Sequence, residues 1–79
     1  MEIELGRKYR LKVLPDKRDY RKIDTGAGFV GSMWEFRGCI LVVTDVPEEG
    51  NPILRLPNGE DYYFSPNWLE PVNKFKGNK

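Results

Sequence analysis

An all-β fold follows from three features of this 79-residue chain. Apolar and polar residues alternate over short runs instead of recurring at helical spacing. Turn-forming residues bound those runs, with Asn58-Gly59 standing between two of them. No stretch carries the apolar stripe of an amphipathic helix. Together they predict a small five-stranded barrel with a long loop after the first strand. Closure would remove the edges that five short strands otherwise expose to aggregation.

The first strand is residues 8–14. Tyr9, Leu11 and Val13 face one way and Lys8, Arg10 and Lys12 the other, the period of a half-buried strand. Pro15-Asp16 ends it. Residues 15–32 form a long polar connection with Gly26, Gly28 and Gly31, in which Asp16 to Ile23 has room for one helical turn. A connection this long is usually functional or mobile. Residues 36–46 are the second strand, apolar on both faces, so its register is open. After the loop Pro47–Asn51 come a third strand, Ile53 to Leu56, and a returning strand, Asp61 to Phe64. Asn58-Gly59 is expected at the centre of a type I′ turn, where both positions need positive φ. Ser65-Pro66-Asn67 is a tight turn and Trp68 to Val72 a short last strand. The barrel therefore occupies residues 1–72, and residues 73–79 are expected to be a disordered basic tail.

Composition narrows the chemistry. A domain this small buries about 60–65% of the surface its unfolded chain exposes, so its stability is marginal without a staple. Cys39 is the only cysteine and histidine is absent, which excludes an intrachain disulfide, a Cys/His zinc site and any Ser-His or Cys-His pair. Cys39 lies in the run Cys39-Ile40-Leu41-Val42-Val43 and reads as a small apolar residue. No run approaches a membrane span, and Met1-Glu2-Ile3-Glu4 lacks the apolar core of a signal peptide, so cytoplasmic residence is expected. The net charge is +1, but it is unevenly spread. Arg7, Lys8, Arg10, Lys12, Lys17, Arg18, Arg21 and Lys22 crowd residues 7–22, and Asp45, Glu48, Glu49, Glu60, Asp61 and Glu70 face only Arg55 over residues 39–72.

The order of elements resembles an SH3 domain. Residues 15–32 take the place of its RT loop, Arg37-Gly38 resembles the step into its second strand, and Asn58-Gly59 resembles its distal loop. Tyr63-Phe64-Ser65-Pro66-Asn67-Trp68-Leu69-Glu70-Pro71-Val72 is similar to the segment in which a 3₁₀ turn precedes the last SH3 strand. The tryptophan that opens the third SH3 strand is replaced by Asn51-Pro52-Ile53, so the resemblance implies the fold and not PxxP recognition. Met33-Trp34-Glu35-Phe36-Arg37-Gly38, Tyr62-Tyr63-Phe64 and Trp68-Leu69-Glu70-Pro71 are also similar to small SH3-like proteins of phages and Gram-positive bacteria. That resemblance implies the fold and a phage or mobile-element origin and carries no activity with it; the expected role, an accessory factor acting on a host protein, is a separate reading.

One motif bears on catalysis. Asp24-Thr25-Gly26-Ala27 resembles the Asp-Thr-Gly-Ala of retroviral-type aspartic proteases, in which two subunits each give one carboxylate. Lys22 stands where that family has an apolar residue, and no later apolar-apolar-Gly segment supports the loop. The segment is read as a polar turn with Asp24 capping it, and Asp24→Asn is expected to move stability by no more than about ±0.5 kcal/mol. Gly26-x-Gly28-x-x-Gly31 follows no strand and opens no helix, so it is not a nucleotide fingerprint.

The aromatic residues point to binding. Tyr62 and Tyr63 must face opposite sides of their strand, so one is exposed. The reading is a monomeric, non-catalytic protein-interaction module that needs no cofactor or metal. Tyr20, Trp34 and Trp68 form the centre of its contact surface, rimmed by Lys17, Arg18, Arg21 and Lys22. Tyr20→Ala is expected to weaken binding without unfolding the domain. The alternative is a nucleic-acid-binding barrel using residues 7–22, and the third reading is the Asp24 protease.

Overall fold

A computed structural model describes residues 3–72. Five strands form one antiparallel sheet: β1 Lys8–Leu11, β2 Ile40–Asp45, β3 Ile53–Arg55, β4 Asp61–Tyr63 and β5 Leu69–Pro71. Their order across the sheet is β4-β3-β2-β1-β5. The strands appear in the expected sequence, but no ladder joins β4 to β5, and the sheet does not close into a barrel. Strands of three residues are too short to pair on one side and wrap on the other. The route from β4 to β5 is taken instead by a 3₁₀ turn, Pro66–Trp68, capped by Ser65 Oγ accepting from Asn67 N–H.

Two short helices lie in the connection between β1 and β2. α1 spans Lys17–Lys22 and α2 spans Gly31–Glu35. α1 has its reasons in the sequence. Asp16 caps it by accepting from Arg18 N–H, Asp19 Oδ2 accepts from Asp16 N–H in return, and Arg21 and Lys22 sit in its last turn. The Arg18 amide holds the Asp16 carboxyl below its usual 3.8. The capping anion is therefore favoured above that value and is lost only as pH falls through the lowered one.

The inner face of the sheet carries Tyr9, Leu11, Leu41, Val43, Leu54 and Leu69. The helices and the loop between them cover that face with Tyr20 and Met33, and with Phe29 and Ala27 packed alongside. Residues 15–32 are thus a lid on the core rather than a loose polar loop. No helix among the described residues is long and apolar enough to cross a membrane. Residues 73–79, expected to be a disordered tail, lie outside the described residues.

Three local expectations change. Val13 is exposed: β1 ends at Leu11, and the bond from Lys12 N–H to Trp68 O at 2.8 Å prolongs its pairing with β5 by one residue only. β2 starts at Ile40 and not at residue 36, after a turn in which Gly38 takes φ +82 and donates to Leu11 O. The third change is in the β3–β4 hairpin. Gly59 N–H donates to Leu56 O, so Pro57 and Asn58 are the central residues, and only Gly59 has positive φ (+93). Proline fixes φ near −65° and suits the first central position of an ordinary type I turn, with glycine completing a three-residue loop.

Candidate functional site

The three aromatic residues expected at a contact surface do come together, but inside the protein. Tyr20 and Trp68 are fully buried and Trp34 is half-buried. The Tyr20 ring stacks on Phe29 at 4.4 Å and meets Trp34 and Trp68 edge-on at 6.1 and 6.4 Å. Trp68 Nε1 donates to Tyr20 O at 2.7 Å. The Tyr20 hydroxyl donates to Lys12 O and accepts from Leu14 N–H. Large rings whose polar atoms find partners are most stable buried. Tyr20 and Trp68 are therefore anchors, and the expectation that they present rings to a partner is corrected.

The four expected cations are where the sequence places them. Tyr20 pins one side of α1 to the core, and a residue every 100° or so then spreads Lys17, Arg21, Arg18 and Lys22 over one arc of about 140° on the other side. All four are exposed. Arg18 pairs with Asp16 at 3.4 Å and Lys22 with Asp19 at 3.8 Å, which leaves Lys17 and Arg21 unpaired among the described residues. Trp34 borders the same surface. Lys17 Nζ lies 5.7 Å from its ring centroid and the Arg37 guanidinium carbon 3.6 Å from it. Arg37 was not among the expected site residues. Its only sequence signal is its spacing three residues after Trp34.

Asp24 sits in a closed loop. Its carboxylate accepts from the backbone N–H groups of Gly26, Ala27 and Gly28 at 2.9, 2.8 and 3.1 Å. Beyond it, Thr25 Oγ1 bonds Asn51 and Ser65. Ser65 Oγ and Asn67 Nδ2 both donate to Ile23 O. These bonds tie the loop to the β2–β3 connection and the 3₁₀ turn. Three amides on one carboxylate amount to more than a solvated turn residue, and a side chain with no acceptor should show it. Asp24→Ala should cost about 1–2 kcal/mol, measured by urea unfolding. An unchanged midpoint would mean that the three bonds contribute nothing.

The solvent face of the sheet shows a second surface. Ile40, Val42 and Tyr63 are exposed there, so Tyr63 is the outward member of its pair and Tyr62 is half-buried. A shallow depression of about 420 Å³ lies beside β4, lined by Thr44, Asp45, Ile53, Arg55, Asp61, Tyr62 and Tyr63. Arg55 Nε donates to Asp61 at 2.8 Å, which lowers the Asp61 pKa and raises that of Arg55. Arg55 and Asp61 cancel each other, and Asp45 leaves the depression with a single negative charge. Cys39 is half-buried and free. Among the described residues no group of three His, Cys, Asp or Glu could hold a metal ion. Comparison with family models, curated proteins and solved structures finds no match to this chain.

Proposed function

We propose that the chain is a non-catalytic protein-binding module with an SH3-like arrangement, and that the exposed face of α1 takes up an acidic segment of its partner. The observation that carries this reading is the single arc of Lys17, Arg18, Arg21 and Lys22, held rigidly by the buried Tyr20. A positive surface on a fixed scaffold steers and orients an acidic partner. The long excursion between β1 and β2 and the 3₁₀ turn directly before β5 support the SH3-like part. A protein partner is favoured over nucleic acid because the Trp34 ring is already covered by Arg37. Tyr63, the exposed aromatic residue among those described, is on the sheet's solvent face, away from α1. Among the described residues, bases would find no free ring beside the cations to stack on.

The test is the joint variant Lys17→Glu, Arg18→Glu, Arg21→Glu and Lys22→Glu, checked for fold by circular dichroism. Association with the protein that the wild type captures from its host should slow at least about ten-fold, and the salt dependence of the rate should flatten. Equal rates for variant and wild type would place the contact elsewhere. Tighter binding to random-sequence DNA than to that protein would favour the nucleic-acid reading.

A further inference from the structure

Arg37 follows α2 directly and is half-buried. Three neutral groups fix its guanidinium. The plane lies over the Trp34 ring, Nε donates to Trp34 O at 3.0 Å, and Nη1 donates to Leu14 O at 3.4 Å. The Nε bond satisfies a carbonyl in the last turn of α2, an ordinary capping role for a basic residue. That role accounts for one donor. A guanidinium has five N–H donors, and the two bonds leave both Nη2 hydrogens and one on Nη1 uncommitted.

The charge has no partner either. Among the described residues neither Arg37 nor Lys17 is in an ion pair, although both lie over the same tryptophan. Two cations at one ring repel each other, and an anion bridging them relieves that cost. A guanidinium already held in its plane, with one edge open, loses little freedom on binding a carboxylate through two parallel hydrogen bonds.

We propose that Arg37 is the anion-reading residue of this surface, and that it binds a carboxylate of the partner's acidic segment through its free Nη edge, with Lys17 as the second cation. The assignment rests on the protein-binding reading above. Arg37 supplies the geometry, and the α1 arc supplies the longer-range attraction.

The probe is an oligoglutamate peptide titrated into the ¹⁵N-labelled chain. The Arg37 Nε–H and Trp34 Nε1–H resonances are expected to shift first. Arg37→Lys keeps the charge but loses the fork, and should weaken binding about ten-fold, read at a temperature where circular dichroism shows the variant folded. If Arg37→Lys binds normally while the joint α1 reversal abolishes binding, the role of Arg37 is overturned and the α1 reading stands. Failure of the wild type to bind the peptide overturns both. Random-sequence DNA bound more tightly than the peptide, and weakened by Arg37→Lys, overturns the carboxylate assignment. Should Arg37→Lys not fold, the wild-type spectra decide alone: shifts confined to other residues count against Arg37.

Discussion

Trp68→Ala is expected to remove about 3–5 kcal/mol of stability, a large part of what the domain holds. Domains of this size hold only about 4–12 kcal/mol in total. Trp68 is fully buried in the short turn before β5, with Phe29 edge-on at 5.4 Å and Phe64 at 6.1 Å. Its indole N–H is the donor that Tyr20 O receives. The substitution removes the ring, opens a cavity under α1 and takes away that hydrogen bond at once. Urea unfolding followed by circular dichroism measures the loss. A midpoint close to the wild type would mean that the aromatic cluster is not the centre of the core.

Tyr20→Ala should cost a similar amount, about 3–5 kcal/mol, and should also free α1. A six-residue helix has no independent stability in water, so what holds it is the packing of its one buried side chain. This reverses the expectation that Tyr20→Ala would leave the domain folded. Tyr20→Phe separates the two contributions. It keeps the stack on Phe29 but leaves the Leu14 amide without its acceptor, at about 1–2 kcal/mol. Amide hydrogen exchange across residues 17–22 reports on α1 directly. The phenylalanine variant should retain slow exchange there and the alanine variant should not. Equal protection in both would show that α1 is held by something other than Tyr20.

The sequence made the strands legible because burial on a sheet has period two. Tyr9 and Leu11 face the core as the alternation requires. Along β2 the pattern was silent, since Ile40 to Val43 are all apolar, and only the pairing of Tyr9 with Leu41 decides that Leu41 and Val43 go inward. The lid was misread for a different reason. Tyr20, Phe29 and Met33 are spread among polar residues, and helices of six and five residues are too short to show a period. Asp16 and Asp19 in capping positions were the available sign of α1. The cations of the site were legible as a charge run. The depth of Tyr20 and Trp68 was not, because an aromatic residue in a polar stretch looks the same in sequence whether it faces water or the core.

The sheet places β1 beside β5, pairing Leu11 with Leu69, while β2, β3 and β4 pair only with their chain neighbours apart from the β1–β2 ladder. That difference imposes an order on assembly. The β3–β4 hairpin closes across the short turn after Leu56, whereas β5 must find β1 across nearly the whole described chain, at a higher entropic cost of closure. The transition state for folding is then expected to be built on the β2–β3–β4 meander, with the last strand docking afterwards. A weakened contact at Leu54 should then slow folding, and one at Leu69 should chiefly hasten unfolding.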